Sequence, residues 1–344
     1  MNRKNFLRST LGTLAALPVK SMGTGFSEEP GSIMAPPYLQ SNDTIGICAP
    51  GGYVELIDLE PAVLRLKEWG FSVKIGTRIG RRDFSMGGTD EERLSDLQEM
   101  LNDRSVKAIL CARGGYGSVR IIDRLDFTRF QKYPKWIIGF SDITVLHSHL
   151  HQHLKVASIH AKMCNSFPSD WAMAEPLQRI SIESIRDCLS GKKMIYESAY
   201  HSQQVSGKCA GVLVGGNLKT IESLSASASD ITTKAKILFL EDTGEYLYSI
   251  DRMFWNVLRS GKLQNLAGLI IGGFKIKQDE PGEEFGRSLQ EIVLEKVRPF
   301  GYPVAFDFPV GHQKHNMALK CGILHQLDVS SSSITLTEIQ SGVN

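Results

Sequence analysis

Between residues 44 and 153 the sequence alternates short apolar runs with stretches of helical period, and that alternation leaves few folds open. Residues 44–50 (TIGICAP) read as a strand closed by the Pro50-Gly51-Gly52 turn, and residues 56–69 as a helix stopped by Gly70. Residues 71–75 are a second strand. Thr89 followed by three acids opens a helix carrying Leu94, Leu97 and Leu101 on one period, because acids favour a helix N-terminus. Residues 106–112 form a third strand before the glycine-rich run 113–117 and a helix to about 125. Residues 136–140 form a fourth strand, followed by a helix over 142–153. Strands that alternate with helices in this way must pair in parallel, with helices covering both faces of the sheet.

The pattern changes after residue 165. Residues 166–207 are mixed and partly polar, and are expected to connect two domains. Beyond 208, strands are expected at 209–213, 235–240, 266–271 and 304–307, with helices opening at Gly216-Asn217 and covering 250–258 and 288–297. Residues 323–336 alternate as antiparallel strands do. The expected architecture is α/β, with a parallel-sheet N-terminal domain over 43–165. A smaller, strand-rich α/β C-terminal domain covers 208–340.

With 42% hydrophobic and 22% charged residues, the chain has the material for full cores, which excludes disordered, collagen-like and disulfide-scaffold classes. No run of 18 apolar residues is present, so no membrane-spanning segment is expected. Thirty-nine basic residues against 37 acidic ones leave no nucleic-acid footprint, and four of the bases (Arg3, Lys4, Arg8, Lys20) stand in the first 26 residues, which hold no acid. The remainder is near neutral, which suits a small-molecule or peptide substrate. The six cysteines show no C-x-x-C pairing, and Cys48 and Cys111 fall in apolar runs, so buried thiols are expected. Residues 1–26 combine a basic start, a mildly apolar run over 11–19 and small residues near 21–23. This is a signal-peptide pattern close to the twin-arginine type, with Lys4 in place of the second arginine. Export to the periplasm is the expectation, with a linker over 27–42. A cytoplasmic location with the leader retained is the alternative.

Chemistry in such sheets gathers at the carboxyl ends of strands. Ser141 follows the strand 136–140 and precedes a helix, the place where a hydroxyl stands clear of the sheet and helix N–H groups can face an oxyanion. The plainer reading makes Ser141 a helix N-cap. Glu241 directly follows four apolar residues, where a carboxylate needs a partner. His312 lies in a loop after the strand near residue 305. A serine, an acid and a histidine at three strand ends suit a nucleophile, an orienting acid and a general base. The Asp142 and Gly115 N–H groups are candidate oxyanion donors, and Arg113 a candidate clamp for a substrate carboxylate. Ser118 competes as nucleophile but lies within a helix. The histidines at 147, 149, 151 and 153 lack an H-E-x-x-H pattern and are expected to be structural or solvent-facing, so no metal and no cofactor are expected.

At this point the chain resembles the LD-carboxypeptidases, a family of serine peptidases with a Ser-Glu-His triad. The resemblance rests on ordered motifs: APG at 49–51, GTDEER at 88–93, ARGGYG at 112–117 and GFSDIT at 139–144. It continues with GGNL at 215–218, LED at 240–242, and Gly311-His312 with Asn316 and Leu319 beyond. It implies a class I glutamine-amidotransferase-like N-terminal domain. It makes Ser141 the nucleophile, Glu241 the orienting acid and His312 the base; Arg113 and Asn217 are the candidate substrate-binding residues. The implied reaction releases the terminal D-Ala of a murein-derived tetrapeptide, with a homodimer left open. Lys320 stands where the family usually has proline. Self-immunity proteins against microcin C look similar, so an aminoacyl-nucleotide substrate is one alternative and a non-catalytic peptidoglycan-peptide binder another. An α/β-hydrolase esterase has the same residue order, but its G-x-S-x-G would need glycine where Ile143 stands.

Overall fold

The computed structural model describes residues 33–339, so the expected leader and the first part of the linker, residues 27–32, lie outside the described residues. Thirteen strands form two sheets among those residues. The first holds β1 (Thr44–Cys48), β2 (Ser72–Ile75), β3 (Val106–Cys111), β4 (Trp136–Gly139) and β5 (Ser158–His160), all parallel. The second holds β6 (Ile195–Ala199), β7 (Gly207–Asn217), β8 (Ile237–Glu245), β9 (Gly268–Ile276) and β10 (Val304–Ala305), with β12 (Leu324–Val329) and β13 (Ser333–Glu338). β11 (Leu319–Cys321), late in the chain, returns to the first sheet and pairs antiparallel with β5, giving the order β11-β5-β4-β3-β1-β2.

The second sheet, ordered β10-β9-β8-β7-β12-β13-β6, is parallel from β10 to β7 and antiparallel from β7 to β6. The join lies inside β7, and the sequence shows why. Its first half, paired with β12, alternates exposure as a one-faced antiparallel strand does. Its second half, paired with β8 from Leu213 to Asn217, is buried throughout. Residues 166–207 are more structured than a connection, since they carry the helix Pro176–Leu189 and the edge strand β6.

Three apolar clusters hold these layers. The central one runs between the sheets and includes Leu110, Trp136, Ile159, Phe239, Phe308 and Leu336. One cluster lies on the far side of each sheet, around Phe130 and Leu146 in one case and Phe254 and Phe306 in the other. Full burial of a side chain such as Phe239 contributes about 2–3 kcal/mol. Because the core is continuous, the carboxyl ends of the two sheets are fixed against each other. Thr144 Oγ1, just beyond β4, accepts from the Asn217 N–H at the end of β7 at 3.0 Å. All six cysteines are free, and five are buried.

Candidate active site

The chain leaves β4 at Gly139, passes Phe140 in an extended conformation and turns sharply at Ser141. Ser141 has φ +62°, a left-handed conformation that costs a non-glycine residue about 1–2 kcal/mol. A 3-10 turn, Ser141–Ile143, leads into the helix Thr144–His149. The Ser141 side chain makes no capping bond, and Phe140 holds the N-cap position, so the plainer reading of this serine is not what the structure contains. Ser141 is half-buried.

The glycine-rich loop after β3 lies directly against this turn. A Cβ on Gly114 would stand 3.1 Å from Ser141 Cβ and 3.3 Å from its Oγ, so a side chain there would crowd the hydroxyl. The Asp142 carboxylate fastens loop and turn together, accepting from Ser118 N–H at 2.9 Å and Ser118 Oγ at 2.7 Å. Ser118 is thereby fully buried and engaged. Burial pushes the Asp142 carboxyl up, and the Ser118 bonds oppose that rise. The backbone N–H groups of Asp142 and Gly115 have no acceptor among the described residues, and Gly115 has φ +86°. Arg113 is exposed, with one guanidinium nitrogen donating to Tyr53 O at 2.9 Å.

Arg93 braces this region from below and was not singled out from the sequence. It is 1% exposed and donates to Pro50 O (2.5 Å), Gly117 O (2.8 Å) and Gly88 O (3.2 Å), and it also pairs with Asp90. The signal was available. Arg93 shares a helical face with Leu97 and Met100, both buried, so the period places a charge in the core.

Glu241 lies within β8, in register with Asn217 of β7, and is wholly buried. Its Oε2 accepts a hydrogen bond from His312 Nδ1. Burial pushes this carboxyl up, but the His160 and His312 imidazoles outweigh it and hold Glu241 below the usual carboxylate range. The His312 ring packs against Phe140, the neighbour of Ser141, with centroids 4.9 Å apart. No hydrogen bond joins Ser141 Oγ to His312 in this state. Bonds of this kind are often long before substrate closes the site.

Gly311 permits the Glu241–His312 approach. Its φ is +94°, and a Cβ there would lie 2.3 Å from Glu241 Cβ. Asn316 Oδ1 accepts from the Gly311 N–H at 2.9 Å, and Gln313 Nε2 donates to Phe308 O and Val310 O, so the loop is held from both sides. Asn217 is a helix N-cap: Oδ1 accepts from Thr220 N–H, and Nδ2 donates to Asp242 at 2.9 Å. A contact from Asn217 to substrate would use its second amide hydrogen. Burial, aided by the Glu241 charge, pushes Asp242 up to about 6 against its own hydrogen bonds.

Two further polar side chains of this region escaped the sequence reading. His160 ends β5 and lies, fully buried, with Nε2 3.7 Å from Glu241 Oε1. Lys162, two residues on, donates to Gln313 O at 3.3 Å and has no carboxylate partner among the described residues. It borders a cavity of about 470 Å³ lined also by Asp170, Met173, Glu175, Gln178 and Lys314. Each of the four helical histidines has a separate partner: His147 faces Gly139 O, His149 faces Ser229, His151 faces Lys236 and His153 faces Ala228 O.

Comparison with known proteins identifies the family. The LD-carboxypeptidase N-terminal domain model matches residues 45–161, and the LD-carboxypeptidase C-terminal domain model matches residues 210–327. The chain is 32% identical to a probable murein peptide carboxypeptidase of Bacillus subtilis, covering 90% of this chain and 95% of that one. It is 29% identical to a murein tetrapeptide carboxypeptidase of Pseudomonas aeruginosa, covering 81% and 91%. The crystal structure of a muramoyltetrapeptide carboxypeptidase from Oxalobacter formigenes superposes with a TM-score of 0.76 at 26% identity, over 87% of this chain and all of that one. The microcin C7 self-immunity protein shares the fold, with a TM-score of 0.78 at 23% identity, over 90% of this chain and all of that one. With both domain models matched in order over most of the described residues, the chain belongs to the LD-carboxypeptidase family.

Proposed function

We propose that this enzyme is a serine carboxypeptidase that releases the terminal D-Ala of murein tetrapeptide by hydrolysing the bond between an L-centre and that D-residue. The observation that carries the reading is the buried Glu241–His312 hydrogen bond set against the strained turn that presents Ser141. Ser141 Oγ attacks the scissile carbonyl while His312 Nε2 takes its proton. The oxyanion is met by the Gly115 and Asp142 N–H groups, which have no other acceptor. His312 then returns the proton to the D-Ala amine, which leaves, and water attacks the acyl-Ser141 ester by the same route. Glu241 fixes the His312 tautomer and balances the imidazolium. The free carboxylate of the substrate calls for a cation, and Arg113, one residue from the loop glycine that abuts Ser141, is the assignment. Lys162, which donates to the carbonyl of Gln313 next to His312, is its rival.

The test is incubation with murein tetrapeptide and, in parallel, with an aminoacyl-adenylate analogue. D-Ala release that falls roughly 10⁴-fold or more in Ser141→Ala is the expected result. Undiminished release in that variant removes the serine mechanism. Cleavage of the adenylate alone moves the substrate to the microcin-immunity class, and binding without turnover by the wild type favours a peptide-binding protein. We also propose periplasmic export on the strength of Arg3, Lys4, Phe6, Leu7 and Lys20. An intact Met1 on the mature protein, with activity confined to the cytosol, would refute it.

A further inference from the structure

Glu241 is a carboxylate with two oxygens in a fully buried place, and His312 engages one of them. The other, Oε1, has no hydrogen-bond partner. Facing it at 3.7 Å is Nε2 of His160, which is itself 0% exposed and has no partner on either ring nitrogen. The walls around this imidazole are aromatic: Phe239 at 5.0 Å and Phe140 at 5.8 Å between centroids, both edge-on. A polar donor and an anionic acceptor, each otherwise unsatisfied, thus stand about half an ångström beyond hydrogen-bond reach. In so dry a place an orphaned carboxylate oxygen is costly, and a small rotation of either side chain removes the cost.

We propose that His160 is a positioning residue whose Nε2–H secures the oxygen of Glu241 that His312 leaves free. The carboxylate is then held between two rings, one from the end of β5 and one from the loop after β10. Its plane is fixed before substrate arrives. The inference rests on the reading of Glu241 and His312 as partners of Ser141.

The other titratable groups near the carboxylate are His312 and, next along β8, Asp242. His147 stands behind His160 at 6.2 Å between centroids, with its own Nε2 engaged by Gly139 O. Removing the His160 donor destabilises the anionic carboxylate without affecting a protonated one. Glu241 therefore takes up a proton at higher pH. A purely packing role would lower the rate and leave the Glu241 titration in place.

The experiment uses the full chain. In the wild type, ¹⁵N-histidine NMR should show His160 as the Nε2–H tautomer, and an Nδ1–H tautomer overturns the proposal with no variant needed. In His160→Phe, the carboxyl carbon of Glu241 should titrate about one pH unit or more above its wild-type position. With murein tetrapeptide, kcat should fall about tenfold or more at little change in KM. His160→Gln, which keeps a donor, should restore both toward wild type. A Glu241 titration in His160→Phe that matches wild type removes the role of His160 alone. Hydrolysis that survives Ser141→Ala removes the reading beneath it, and the tautomer still reports on His160. Should His160→Phe fail to fold, the tautomer and the retained activity of His160→Gln decide the matter, and an inactive but folded His160→Gln with Glu241 unshifted counts against it.

Discussion

A hydrogen bond between a buried acid and a loop histidine needs the loop to come unusually close to the strand, and one residue decides whether it does. Gly311 combines φ +94° with a Cβ position 2.3 Å from Glu241 Cβ, so any side chain displaces either the loop or the carboxylate. Gly311→Ala should lose about 2 kcal/mol or more of stability from strain and overlap. It should also lose roughly 100-fold in kcat, because His312 moves off its bearing. Gly261→Ala separates the two effects, since Gly261 has φ +81° and open space where a Cβ would go. It should cost about 1–2 kcal/mol and leave kcat unchanged. Equal activity losses in the two variants would show that strain, not the Glu241 contact, is what matters. At this scale the strand-end rule reaches Ser141, Glu241 and His312, because each follows an apolar run or its loop. It does not reach His160, whose strand is three residues long and whose importance depends on a carboxylate 81 positions away. Nor does it reach Lys162, which becomes notable when Gln313 and its loop close over it.

The helix after Ser141 shows how an element can be read correctly in kind while its energetics stay hidden. Periodicity predicts a helix over 142–153, and the structure has one, with a 3-10 start and a π-type turn, Leu150–Leu154, at its end. The run of histidines reads as polar, yet His147 and His151 are buried. Burial pushes both down to about 3, aided for His147 by His160 and for His151 by Lys236 and Lys155. A base whose folded-state value is depressed binds fewer protons folded than unfolded, so stability falls as pH drops below the ordinary histidine value. Between pH 7 and 5 each such histidine should withdraw about 2 kcal/mol. Asp242 works in the opposite sense. Its contribution is fully present below the unfolded carboxylate value and is lost as pH rises through about 6, so it softens the acid decline. Urea unfolding at pH 7, 6 and 5 should therefore show a steep loss in the wild type. His147→Gln and His151→Gln should each have a shallower slope, and curves parallel to wild type would mean that these imidazoles do not remain neutral in the folded chain.

The fold of the whole molecule was legible as far as the alternating pattern extends, which is why the parallel strands β1 to β4 and a strand-rich second domain were expected and the three-residue β5 was not. What local pattern cannot convey is a late segment that returns to an early sheet. β11 pairs with β5 across more than 150 residues, and Lys320, in register with Ile159, lies at its centre. The family resemblance set Lys320 apart as a lysine where proline is usual. The structure puts it in a strand, with its Nζ buried and donating to Glu338 of β13 at 2.9 and 3.2 Å and to Lys192 O at 3.0 Å. Glu338 in turn accepts from Met194 N–H at 3.1 Å. One ion pair thus joins an edge strand of the first sheet to a strand of the second and to the segment between them. Its two charges offset each other's desolvation, so removing one leaves the other exposed to the full cost. Lys320→Met should destabilise the chain by about 3–5 kcal/mol. Lys320→Met with Glu338→Leu should recover much of that loss, because the buried carboxylate is gone and apolar volume takes its place. Denaturant midpoints for the two singles and the double settle the coupling. If the double loses the sum of the singles, the two residues stabilise their own strands independently and the pair does not tie the sheets together.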